Sequence, residues 1–170
     1  MLTPTFYLLL LMRIPIHTLR WSLTPYQRTK HERSKIAALQ GKLDEAYQLS
    51  KEAHDLVSVG KPTHASVMAT QYRMGCIAML QGDHYTALEH LKRALVISQL
   101  NEAQRGNAGE SSWVRWRMAE LYENDGNLED AQILRDSALA TKKDLLAGGE
   151  YAIVEDADGS WGALVGLLYR

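Results

Sequence analysis

Three segments of the chain share a glycine, an alanine five residues on, and a second alanine seven residues after that. They are Gly41, Ala46, Ala53; Gly82, Ala87, Ala94; and Gly126, Ala131, Ala138. Written out, they are GKLDEAYQLSKEA, GDHYTALEHLKRA and GNLEDAQILRDSA, with glycines 41 and 44 residues apart. A period of roughly 20–50 residues marks a supersecondary unit that cannot bury its apolar face alone and stacks on copies of itself. A chain of 170 residues has room for about three such units, which is close to the minimum for a stable stack.

The local chemistry of each unit is that of a helical hairpin. The glycine ends one helix, where positive φ closes a turn at little steric cost. An acidic residue follows (Asp44, Asp83, Glu129), near the positive N-terminus of the next helix. That helix carries its two alanines on one face, so a partner helix can approach closely. Upstream of each glycine lies another helical stretch. The first is TPYQRTKHERSKIAALQ, opened by Thr24 and Pro25; the second is THASVMATQYRMGCIAMLQ, opened by Pro62; the third is GESSWVRWRMAELYEND, with Ser111 or Ser112 as cap. The expected repeats run over about 24–58, 62–100 and 109–146.

These residues resemble the tetratricopeptide repeat. In copy two, Met74 and Gly75 stand at the Leu-Gly pair and Ala78 at the tyrosine position, followed by Gly82, Ala87, Leu91 and Ala94. In copy three, Met118 and Ala119 take the pair and Tyr122 the tyrosine position, followed by Gly126, Ala131 and Ala138. Copy one has Ser34 at the small-residue position, then Gly41, Ala46 and Ala53. The departures are Ser50 and Arg135 where Phe or Leu is usual, no terminal proline, and a longer period. Long periods of this kind resemble kinesin-light-chain arrays and helical-repeat proteins of filamentous fungi. The resemblance implies an all-α, right-handed superhelical stack of three hairpins. A non-repeat helical bundle is the bland alternative, and a fragment of a longer array is another.

The flanks differ from the repeats. Residues 1–23 hold the apolar run FYLLLLM between Pro4 and Pro15, with no basic residue before it and no small-residue cleavage site after it. They are expected to be a loosely packed extension rather than a signal peptide or an anchor. Residues 147–170 are acidic and end in a stripe of Trp161, Leu164, Val165 and Leu168 after Ser160, which predicts a short capping helix on the last repeat. The whole chain has a net charge of -1. That total, and the lack of a long basic stripe, argue against nucleic acid as a partner. No apolar run reaches the length of a membrane span, and a cytoplasmic location is expected. The single cysteine, Cys76, excludes an internal disulfide.

Catalytic motifs are missing from the sequence. His17, His31, His54, His64, His84 and His90 form no His-Glu-x-x-His motif and no pair four residues apart on one helix. GNAG at 106–109 lacks the Lys-Ser/Thr of a phosphate loop, and Asp156-Ala157-Asp158-Gly159 lacks the downstream Glu of a calcium loop. No enzyme activity, metal or cofactor is expected.

Binding has more support. The resemblance places the first helix of each unit along a concave groove. The register gives Arg28, His31, Lys35 and Ala38 from copy one; Ala69, Tyr72, Cys76 and Met79 from copy two; and Trp113, Trp116, Glu120 and Glu123 from copy three. Glu32, Arg73 and Arg117 come from the neighbouring position. The expected partner-binding residues are Lys35, Tyr72, Arg73, Trp113, Trp116 and Arg117, since Trp, Tyr and Arg dominate interface energetics. The alternative for the two tryptophans is packing between repeats. Receptors of this family that hold chaperone tails use two Lys, two Asn and one Arg. The positions here read His31, Lys35, Arg73, Trp113 and Arg117, which matches only the last. The expected function is a non-catalytic scaffold or adaptor for a protein or peptide, acidic or aromatic, with self-association as a further outcome. An accessory role in a biosynthetic pathway, such as fungal secondary metabolism, and a small helical enzyme are the rival readings.

Overall fold

The computed structural model describes residues 25–60, 62–105 and 109–147. These residues form six α-helices and no strand: α1 Pro25–Leu39, α2 Leu43–Ser58, α3 Ala65–Gln81, α4 His84–Arg105, α5 Gly109–Asn124 and α6 Leu128–Ala147. The described part of the chain is therefore all-α. The extension expected at 1–23 and the capping helix expected at Ser160–Leu168 lie outside the described residues.

The three repeat glycines close three turns of the same geometry. Gly41, Gly82 and Gly126 have φ of 75°, 77° and 79°, a region where a Cβ is strained and glycine is not. In each turn the glycine N–H donates to the carbonyl three residues back, and the following N–H donates to the carbonyl five back. Gly82 reaches Met79 at 3.1 Å and Asp83 reaches Ala78 at 3.0 Å, with the same bonds at Gly41/Lys42 and Gly126/Asn127. This pairing satisfies carbonyls that a helix end otherwise leaves bare. The residue after the glycine then starts the next helix. Its carbonyl accepts the first alanine's N–H: Ala46 to Lys42, Ala87 to Asp83, Ala131 to Asn127. Asp83 also caps its helix by accepting the Thr86 N–H at 3.0 Å, whereas Lys42 makes no side-chain cap.

Two expected helix starts are corrected. α3 begins at Ala65 rather than at Pro62, because His64 Nδ1 accepts the Ser66 N–H at 3.2 Å and caps the helix there. α5 begins at Gly109, so Ser111 and Ser112 are buried inside its first turn and do not cap it.

Within each hairpin the helices run antiparallel, and the repeat alanines form the seam. Ala46, Ala53, Ala87, Ala94, Ala131 and Ala138 are at most 2% exposed. The facing position is filled differently in successive copies. In the second hairpin it is Gly75, where a Cβ would lie 2.9 Å from Leu91 Cγ and 3.2 Å from the Ala87 carbonyl oxygen. In the first hairpin the same offsets join Ser34 to the Ala46 carbonyl at 2.9 Å and to the Ser50 hydroxyl at 2.6 Å. The two departures at Ser34 and Ser50 thus belong to one contact, a buried hydroxyl pair in place of glycine against leucine.

Each helix also packs on its neighbours in the chain, α2 on α3 and α4 on α5 as well as within the hairpins. Contacts between hairpins join positions about one repeat apart. His31 meets Arg73, Tyr47 meets His90 and Tyr72 meets Arg117, at separations of 42, 43 and 45 residues. Each separation is one or two residues longer than the 41 or 44 between the corresponding glycines. α3 lies at the centre and is buried from Ala65 through Met79 on all faces.

Candidate functional site

Two side-chain clusters join the first helices of the three hairpins, one through Arg73 and one through its chain neighbour Tyr72. The first begins in α1, where His31 sits 2% exposed. Arg73 of α3 donates from Nη1 to the His31 carbonyl at 3.0 Å and from Nη2 to His31 Nε2 at 2.6 Å. His31 Nε2 must then be an acceptor, so the ring is neutral. Burial, reinforced by the Arg73 and Lys35 charges, holds its pKa well below the usual histidine value. Arg73 itself is 1% exposed, and burial pushes its pKa down to about 9, so it stays charged at neutral pH. Its Nε is buried without a partner.

The second cluster joins α3 to α5. The Tyr72 ring stacks on Trp113 at 4.1 Å between centroids, with 29° between planes. Arg117 Nε donates to the Tyr72 hydroxyl at 3.2 Å, and Arg117 is ion-paired with Glu120. Burial works against the Arg117 charge, yet Tyr72 and Glu120 outweigh it and hold its pKa above the ordinary arginine value. Burial pushes the Glu120 carboxyl up, against the pull of Arg117 and Arg135. These directions oppose each other, and the geometry decides for a charged pair at neutral pH. Glu120 accepts from Arg117 on one oxygen and from Trp116 Nε1, at 3.1 Å, on the other, which is how a carboxylate is satisfied.

Five of the six expected binding residues lie in these two clusters, Arg73 in the first and the other four in the second, and Lys35 lies beside the first. Lys35 is bonded instead to Glu32, at 3.3 Å. Exposure is lower than an open groove would give. Lys35, Tyr72, Arg73, Trp113 and Arg117 are all 7% exposed or less, and Trp116 is half-buried. Trp113 packs between hairpins, as the alternative reading of the tryptophans has it. Cys76 is buried as well, which pushes its thiol pKa up and leaves it a core residue. Nothing is described of the Arg28 side chain.

Sequence reasoning missed two features. The first is Arg135 of α6, which lies over the Trp116 ring at 4.5 Å and forms a two-pronged ion pair with Glu123. Its signal was present as a charged residue where the repeat pattern has Phe or Leu. The second is a hydrogen-bonded chain on the opposite side of α3. Tyr47 OH meets His90 Nε2 at 2.7 Å, His90 Nδ1 meets Gln71 Oε1 at 2.7 Å, Gln71 Nε2 meets His54 Nε2 at 3.2 Å, and His54 Nδ1 meets Thr70 Oγ1 at 3.0 Å. Because Thr70 donates to the Val67 carbonyl, His54 Nδ1 is the donor to Thr70. His54 Nε2 then accepts from Gln71, and the same logic makes His90 Nε2 the acceptor from Tyr47. Both rings are neutral, in line with the burial that lowers their pKa values. No motif spacing announces this chain, since its members come from three helices.

Among the described residues no group of three or more His, Cys, Asp or Glu is placed to hold a metal ion. No described helix is long and apolar enough to cross a membrane. No family model, curated protein or solved structure matches the chain.

Proposed function

We propose that the chain is a tetratricopeptide-like helical-repeat module, non-catalytic, that holds a segment of a partner protein along the side formed by α1, α3 and α5. The observation that carries this reading is that α3 reaches both neighbouring first helices through adjacent residues, Arg73 to His31 of α1 and Tyr72 to Trp113 and Arg117 of α5, with Trp116 tied in through Glu120. Repetition of the turn geometry three times supports a stack, as do contacts between successive hairpins at residues about one repeat apart. In a superhelical stack these three helices line the inner side. Preformed helices lose little ordering entropy on binding, so a few anchors suffice.

The burial pattern divides the labour. Tyr72, Arg73, Trp113 and Arg117 form the rigid floor. Trp116 and Arg135, both half-buried, form the accessible rim, where a partner aromatic packs beside Trp116 and a partner carboxylate reaches the edge of the guanidinium not used by Glu123. An acidic or aromatic segment fits that rim. The test is affinity capture from a native cell extract by the purified chain, with Trp116→Ala/Arg135→Ala as the control. Arg117 is left intact because its removal strands the Glu120 charge. The expected result is loss of the captured partner at unchanged helical circular dichroism. Equal capture by the wild type and the variant removes the assignment.

A further inference from the structure

A cleft of about 430 Å³ opens between the first two hairpins, with His54 of α2, Val67 and Gln71 of α3, and Arg93, Val96 and Ile97 of α4 among its walls. Val67 and Gln71 are one helical turn apart, on the side of α3 away from Ala69 and Cys76. The cleft is therefore separate from the clusters of α1, α3 and α5. Its size is within the roughly 300–1,000 Å³ of small-molecule sites.

The walls divide into two chemistries. Val67, Val96 and Ile97 make an apolar side, and Val96 is 56% exposed although it is a large aliphatic residue. Arg93 and Lys92 bring two cations to the α4 rim, against Glu89 alone. No ion pair joins Arg93 or Lys92 to a carboxylate among the described residues. Arg93 shares the cleft with His54 and Gln71, two members of the neutral hydrogen-bonded chain. In that chain the Gln71 amide spends one hydrogen on His54 and its oxygen on His90.

We infer that this cleft is a binding site for a small monocarboxylic acid with an apolar or aryl body, the carboxylate held by Arg93 and the body laid against Val67, Val96 and Ile97. An uncompensated guanidinium next to an apolar wall selects an anion that is itself amphipathic. The His54 ring is already committed on both nitrogens, to Thr70 and Gln71.

The test titrates the full chain with naphthylacetate, with its uncharged amide naphthylacetamide, and with acetate, by calorimetry and thermal shift. Saturable one-to-one binding of naphthylacetate is expected, with the amide at least about tenfold weaker and acetate without effect, the tenfold following from loss of one charge-assisted contact. Arg93→Gln should weaken the acid about tenfold and leave the amide unchanged, Val96→Asp should abolish binding of both, and Glu89→Gln should tighten the acid. Arg93, Val96 and Glu89 all have solvent-accessible side chains, so the variants keep the fold. Equal affinity for acid and amide, or no effect of Arg93→Gln, overturns the inference. So does an absence of saturable binding, or a second copy of the chain occupying the cleft as seen by concentration-dependent mass in light scattering.

Discussion

Grafting the seam of the first hairpin onto the second gives a direct measure of how the repeats are built. Gly75→Ser adds a hydroxyl and a Cβ, and the Cβ would lie 2.9 Å from Leu91 Cγ and 3.2 Å from a backbone oxygen. Neither neighbour is the free end of a flexible side chain, so the crowding costs about 1–3 kcal/mol. A gain of about 0.5 kcal/mol from replacing a helical glycine offsets part of it. Leu91→Ser removes a side chain that is 0% exposed, at about 3–5 kcal/mol for the cavity and the stranded hydroxyl. Together the two substitutions recreate Ser34 against Ser50 at the same offset. The crowding is relieved, and a hydroxyl pair worth about 1 kcal/mol forms. The double variant should therefore be more stable than the sum of the singles by about 2 kcal/mol. The assay is urea denaturation of the full chain and the three variants, followed by helical circular dichroism at constant m-value. Additivity within about 0.5 kcal/mol, or a Gly75→Ser variant more stable than the wild type, would refute the shared geometry of the two seams.

Two further outcomes can be checked by the same denaturation. Glu120→Gln breaks a pair whose side chains are 4% and 14% exposed and should cost about 3 kcal/mol, because the Arg117 charge stays buried; Arg117→Met/Glu120→Gln should cost less than the sum of its singles. His31, His54 and His90 all have pKa values below 6.5 in the folded chain, so the unfolded chain binds more protons just below that pH. Stability should accordingly fall as the pH drops from about 7.5 to about 5.5, seen as a lower denaturation midpoint, and His90→Gln should shrink the drop. An unchanged midpoint over that window would mean the rings are charged in the folded state.

The parts of the fold legible in the sequence are those fixed by local chemistry. Gly41, Gly82 and Gly126 mark turns because a positive φ admits few other residues, and the alanines mark the seam because close helix approach admits only small side chains. Helix starts were less legible. His64 displaces Pro62 as the boundary of α3 through a ring nitrogen that accepts a backbone N–H, a role shared by several polar residues. Register grouped Tyr72, Arg73, Trp113, Trp116 and Arg117; in the structure Tyr72 touches Trp113 and Arg117, whereas Arg73 bonds to His31. Their burial was not readable, because exposure depends on everything packed around a helix and not on its own periodicity. The Tyr47, His90, Gln71, His54 and Thr70 chain was invisible for the same reason: its members converge only after three helices have packed.

The different seams of the first two hairpins also act while the chain folds. Near-identical helical modules are prone to pairing with the wrong neighbour, a characteristic misassembly of repeat proteins. Here α1 presents a hydroxyl and α3 presents a bare backbone. An α1 helix that met α4 would set Ser34 against Leu91, and Ser50 of α2 would be left without its partner. Each first helix is thereby keyed to its own second helix, and the exchange of partners between modules or between chains meets a barrier built from a single pair of positions.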